Sequence, residues 1–151
     1  MPHAGSSWII EISQVLLFDR NRRLVVYLRD DNPDIPFPNH WDLFGGDLEG
    51  DENPEQAVVR EVKEEVGVEL ERWEFFRIYN CTQGDVYLNN KHIYWAQIDR
   101  SSAQLTLNEG ERLMSVGRDE IDLIQLANIL GQFAETLSNR GSGPKGRRNS
   151  W

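Results

Sequence analysis

The run from Asn53 to Gly67 constrains this chain more than any other stretch, because it specifies where a helix begins, which face it buries and where it stops. Asn53 offers a side-chain acceptor at the N-cap, Pro54 sits at the first helical position where its missing N–H costs nothing, and Gly67 is the residue that most easily turns left-handed at the end. Between them Val58, Val62 and Val66 recur every four residues, which predicts a narrow apolar stripe. Glu61, Glu64 and Glu65 are related by i, i+3 and i+4, so their carboxylates converge on one face of the same helix. Three like charges so placed repel one another, and a hard cation such as Mg²⁺ or Mn²⁺ among the oxygens would relieve them. On the triad alone, a metal site and a solvated acidic face neutralised by Arg60, Lys63 and salt stand level.

Other segments supply a sheet for this helix to pack against. The β-branched run Trp8 to Phe18, the turn-like Asp19-Arg20-Asn21-Arg22 and the run Leu24 to Leu28 predict a hairpin. A proline-rich loop over Asp30 to Asn39 then leads to a short strand at Trp41-Asp42-Leu43, and a Gly-Gly pair opens an acidic loop before the helix. Phe75 to Tyr79 and His92 to Ile98 predict two further strands around a turn at Gln83-Gly84-Asp85, and Asn108-Glu109-Gly110-Glu111 predicts a loop. Leu123, Leu126, Ala127, Leu130, Phe133, Ala134 and Leu137 have helical spacing, so a second helix is expected over Asp122 to Leu137. The order of elements predicts one α/β domain over 1–140, with a mixed sheet between two helices in three layers. Residues 141–151 hold little to bury and are expected to form a disordered basic tail.

At 151 residues the chain can bury a core without disulfides, and its single cysteine, Cys81, is expected to be a buried or semi-buried thiol of the reducing cytoplasm. No long apolar run predicts a membrane span, and the formal charge of −9 argues against non-specific binding of nucleic acid. That charge is concentrated: Asp47 to Glu71 holds ten acids against two bases.

The whole segment from Gly46 to Val68 sharpens the reading of the acidic helix. It resembles the Nudix box, G-x5-E-x7-R-E-U-x-E-E-x-G-U with U aliphatic, and Gly46, Glu52, Arg60, Glu61, Val62, Glu64, Glu65, Gly67 and Val68 meet every fixed position. The resemblance implies a Nudix-like α/β/α sandwich and a metal-dependent phosphohydrolase, with Mg²⁺ or Mn²⁺ held by Glu61, Glu64, Glu65 and the Gly46 carbonyl. It also implies that Arg60 orients the catalytic glutamates and that Glu52 ties the preceding loop to Arg60. Gly45 and Gly46 allow the backbone a close approach to the metal or a phosphate, and Gly67 ends the helix. The implied reaction is attack of water on a phosphorus of a diphosphate linkage, with either Glu61 or the loop residue Glu109 as general base and Glu109 as a further metal ligand.

The substrate is less constrained. Phe44 stands where much of the family has proline before the glycine pair, and it is expected to alter the wall beside the substrate. Arg29 is placed to contact phosphate, and Phe37 or His40 to line the site, although loop packing accounts for all three equally well. Pro144 is the only proline after the box, so the mark of ADP-ribose hydrolases is missing, and Tyr87 does not match that of dinucleotide polyphosphate hydrolases. A nucleotide-like small molecule remains, with (d)NTPs favoured on size over nucleotide sugars. A non-catalytic nucleotide-binding module would usually have lost box glutamates that this chain keeps. A homodimer is compatible with the fold but required by no feature of the sequence.

Overall fold

A computed structural model describes residues 9–81, 88–124 and 127. The predicted hairpin is present as β1 (Ile10–Phe18) and β2 (Leu24–Leu28). Its turn is built by Asp19, whose carboxylate accepts the N–H groups of Asn21 at 2.8 Å and Arg23 at 3.0 Å. The two strands pair only next to that turn, at Leu17–Val25 and Phe18–Leu24. Beyond it they splay, and the segment β3 (Trp41–Asp42) and β4 (Phe44–Asp47) fills the wedge. β3 pairs with β2 and β4 with β1, both antiparallel. Gly45 and Gly46, which follow the short predicted strand, continue the sheet within β4, opposite Gln14 and Ser13.

β5 (Glu74–Cys81) and β6 (Asn89–Gln97) form the expected second strand pair, β6 running parallel to β1. β7 (Arg112–Val116), which the sequence reading did not single out, pairs with the outer edge of β2. The result is a mixed sheet in the order β3-β2-β1-β6-β5, with β4 beside β1 and β7 beside β2. The expected turn at Gln83-Gly84-Asp85 lies outside the described residues.

Strand alternation gives the sheet two apolar faces. Val15 and Leu17 of β1, Val25 of β2 and Tyr94 and Ala96 of β6 face α1 (Pro54–Val66), where Val58, Val62 and Val66 form the predicted stripe. Leu16 and Phe18, with Leu24, Val26, Ile93 and Trp95, form a second cluster on the opposite face, closed partly by Val116 and Ile121. Ile121–Leu123 is a 3₁₀ turn, and the buried Ala127 donates its N–H to the Trp41 carbonyl at 2.9 Å. The rest of the helix expected over 122–137, and with it the third layer, lies outside the described residues, as does the basic tail. Cys81 is buried, as expected.

The helix ends follow the local signals. The Asn53 side chain accepts the Gln56 N–H at 2.8 Å while the Gln56 side chain accepts the Asn53 N–H at 2.9 Å, and Gly67 is left-handed at φ 71° with its N–H on the Lys63 carbonyl. Asn53→Ala removes one half of this reciprocal cap and should lower unfolding stability by about 1 kcal/mol, read as an earlier urea midpoint with an unchanged slope.

Candidate active site

Packing of the valine stripe on the sheet turns Glu65 inward, where it is 3% exposed. Its carboxylate accepts the N–H of Gly45 at 2.8 Å. That approach needs glycine: Gly45 has φ +142°, and a Cβ there would lie 2.1 Å from the Ser13 carbonyl oxygen. Gly46 is as tightly placed, since its Cβ would stand 2.8 to 2.9 Å from the carboxylate atoms of Glu61. The two glycines thus bring β4 against the two glutamates one helical turn apart.

Charge is crowded at this point. Burial pushes the Glu65 carboxyl up to about 9, against the pull of the Gly45 N–H, and the neighbouring charges of Glu61 and Glu109 push the same way. Burial also raises Glu61, opposed by Arg60 and reinforced by Glu64 and Glu109. Glu109 is exposed and reaches the Glu65 carboxyl from the loop before β7. The hydroxyl of Tyr27, on β2, is held protonated first by burial and then by the charges of Asp42 and Glu65. Glu61, Glu65 and Glu109 therefore converge.

Arg60 serves the other acids. It grips Glu52 with two donors, at 2.6 and 3.0 Å, and reaches Glu64 at 2.9 Å and the Asp47 carbonyl at 3.2 Å. Glu49 and Glu61 each stand 3.4 Å from the same guanidinium. Glu52 is consequently held below the usual carboxylate range, chiefly by Arg60 and also by the Glu49 N–H. The loop between β4 and α1 is thereby fastened to the helix.

Among the described residues no three His, Cys, Asp or Glu side chains stand in a geometry that would already enclose an ion. Glu64 explains part of this, because its exposed carboxylate is bonded to Arg60. The donor chemistry nonetheless fits a hard divalent cation: converging carboxylates, two of them raised by crowding and burial, beside a glycine backbone that a Cβ would obstruct.

The residues expected to touch substrate divide. Phe44 is fully buried, stacked on Tyr27 with ring centroids 5.3 Å apart, and so belongs to the core rather than to a substrate wall. Its place in β4 opposite Val15 sends the ring to the α1 face of the sheet. Arg29 commits one donor to the Pro36 carbonyl at 2.9 Å and another to the buried Asp42 at 3.1 Å. Phe37 is half-buried, edge-on to His40 at 5.7 Å, in a loop where Phe37 (φ 50°) and Asn39 (φ 59°) are left-handed. Trp41 packs partly against the core and lies under the Arg112 guanidinium.

Two features escaped the sequence reading. Asp42 is held by Arg29, by the Leu43 N–H at 2.8 Å and by Gln14 at 3.2 Å, and burial still raises its pKa. Its only signal was an acid within a short apolar strand. Asn108 donates to the carbonyls of Glu64 and Glu65, and only its place beside Glu109 could have drawn notice.

The chain is thus an α/β protein in which a glutamate-bearing helix is clamped to a glycine pair within a mixed sheet. The model of the NUDIX domain matches residues 12–137, and the chain belongs to the Nudix family. A MutT-like protein of Streptomyces ambofaciens is 39% identical over 85 residues, covering 56% of this chain and 51% of its own. An 8-oxo-dGTP diphosphatase of Proteus vulgaris is 50% identical over 30 residues, 20% of this chain and 27% of its own. The chain thus spans about half or less of these curated relatives. Among solved structures, a MutT protein of Methanosarcina mazei superposes with a TM-score of 0.75 at 18% identity, over 91% of this chain and 98% of that one, a likeness of fold.

Glu65 makes the site's electrostatics measurable. Its carboxyl titrates near 9 in the fold against 4.5 for an ordinary glutamate, so the folded state keeps a proton that the unfolded chain releases in between. Stability in EDTA should therefore fall as pH rises through that interval, and Glu65→Gln, which keeps an acceptor for Gly45, should flatten the fall. The variant is expected to melt with the native protein at about pH 5 and several degrees above it at about pH 9; coincident melting at both would contradict the assignment.

Proposed function

We propose that this protein is a divalent-metal-dependent phosphohydrolase that cleaves the diphosphate linkage of a nucleoside diphosphate derivative, with (d)NTPs as its substrate class. The observation that carries the proposal is the convergence of Glu61, Glu65 and Glu109 on the glycine pair, where burial and mutual repulsion raise the two helix carboxyls. Such a cluster, in which Arg60 reaches Glu61 at 3.4 Å but Glu65 and Glu109 crowd each other, is costly to the fold and suited to a ligand that brings positive charge.

In this reading Glu61, Glu64, Glu65 and Glu109, with the Gly46 carbonyl, hold Mg²⁺ or Mn²⁺. The metal, when bound, neutralises phosphate charge and makes water acidic enough to react near neutral pH. The chain's own groups do the rest. Glu65 is locked by the Gly45 N–H, and Glu61 is pinned between Gly46 and Arg60. Glu109, exposed and reaching in from the opposite loop, is the carboxylate best placed to accept the proton of the attacking water. Arg29, anchored to Asp42, and the Phe37–His40 pair border the substrate from the loop between β2 and β3. The (d)NTP class draws support from the MutT-like and 8-oxo-dGTP diphosphatase relatives.

Incubation with Mg²⁺ and a panel of (d)NTPs, nucleotide sugars, ADP-ribose and dinucleotide polyphosphates, with release of phosphate or pyrophosphate measured, should show fastest turnover for a (d)NTP. Fastest turnover of a nucleotide sugar would move the substrate class, and no turnover at all would leave a binding module. Glu64→Gln and Glu65→Gln should each lower activity by about tenfold or more, as loss of metal ligands or their partners does elsewhere. Glu109→Gln should lower kcat at least as much as Glu61→Gln; a silent Glu109→Gln would reduce Glu109 to a turn residue.

A further inference from the structure

Glu109 sits in the middle of a short bridge whose two ends are fastened to different walls of the site. On one side Asn108 gives its backbone N–H to the Glu65 carbonyl at 2.8 Å and its side-chain amide to the Glu64 carbonyl at 3.0 Å. Both carbonyls belong to the last turn of α1, where the helix itself offers no donors. Gly67 already satisfies the Lys63 carbonyl, so Asn108 takes the next two in order. On the other side Gly110 is left-handed at φ +83°, and a Cβ there would lie 2.7 Å from both the Leu28 carbonyl oxygen and the Tyr27 ring. The Glu111 N–H donates to that same Leu28 carbonyl at 2.9 Å, and the Glu111 carboxylate accepts the Asp31 N–H at 2.8 Å.

The bridge therefore runs from the end of α1 to the end of β2, and Glu109 spans it. Asn108 and Glu109 are adjacent, so their Cα atoms are one peptide step of about 3.8 Å apart. Two hydrogen bonds to the backbone of Glu64 and Glu65 thus fix the Glu109 Cα relative to the residues whose carboxylates it must meet. A loop held only at Glu111 would leave that distance free.

We propose that Asn108 is a positioning residue, which sets the reach of the Glu109 carboxylate toward Glu61 and Glu65 by reading the backbone of the helix that carries them. This rests on the role given above to Glu109. In this role Asn108 acts on the backbone of α1 and not on substrate or metal directly. Its effect passes through Glu109, whereas an ordinary helix cap would act through the stability of α1.

A double-mutant cycle separates these two roles. Asn108→Ala, in a protein shown by its melting curve to be folded, should lower kcat by about tenfold on the fastest (d)NTP of the panel, with KM little changed, and should weaken binding of Mn²⁺ titrated without nucleotide. In a Glu109→Gln background the same substitution should have no further effect on either quantity. Full, additive loss in that background would overturn the proposal, since Asn108 would then act through the helix alone. Asn108→Leu, which is uncharged, keeps the backbone N–H and is close in volume but has no side-chain donor, should behave like Asn108→Ala and replaces it if the alanine variant does not fold. Should the native protein turn over no nucleotide, the hydrolase reading fails by itself, and the Mn²⁺ cycle still decides for or against Asn108.

Discussion

The hydrogen bond from the Gly45 N–H to the Glu65 carboxylate is the contact on which the arrangement of this molecule depends. It joins the inward face of α1 to β4, and β4 is the strand that separates β1 from β2. A single N–H does not compensate a carboxylate for leaving water, and the pKa of Glu65 records the deficit. The fold therefore holds a group that weakens it. In the proposed hydrolase such a position is kept for chemistry rather than for stability, the same trade seen where active sites oppose folding.

Arg60 explains why a run rich in acids does not behave as one uniform face. Its guanidinium gathers Glu52, Glu64 and, at longer range, Glu49 on the loop side of the helix. Glu65 and Glu109 lie beyond its reach, and Glu61 stands at the border, touched by Arg60 at 3.4 Å and by Gly46 from the other side. The acids are thus sorted into a neutralised set that fastens the loop and a set that lacks a cation. Glu64 belongs to the first set in this structure although its sequence position pairs it with the second. Its exposure leaves it free of packing constraints, so little besides Arg60 decides where its carboxylate rests.

What the sequence made legible was local. Asn53, Pro54, the valines and Gly67 act within one or two turns, and the helix they predict is the helix observed. Phe44 was misread because its role depends on strand parity. Beside two glycines no alternation of side chains is visible, so nothing in the sequence shows that β4 continues through them and turns the ring onto Tyr27. Asp42 has the same origin, since its partners Gln14 and Arg29 come from β1 and the end of β2. Asn108 was further out of reach: it acts on the backbone carbonyl of Glu64, 44 residues away, and on that of Glu65 beside it, and a carbonyl carries no sequence identity to read.

The same parity separates reaction from recognition. The carboxylates stand on the α1 side of β4 and draw their positions from Gly45, Gly46 and the loop at Asn108. The loop between β2 and β3 is shaped mainly by the Arg29–Asp42 pair and by backbone bonds from Arg29 to His40 and from Asn39 to Asp30, and it meets the Glu109 bridge where the Asp31 N–H donates to Glu111. Left-handed backbone at Phe37, which a bulky residue adopts only when its surroundings hold it there, shows that this loop has a definite shape of its own. Under the proposed function, changes in that loop would alter which group is held beside the diphosphate without moving a glutamate of the helix. Similarity carried by the box therefore transfers the chemistry of the helix far better than it transfers the identity of the group the loop would meet.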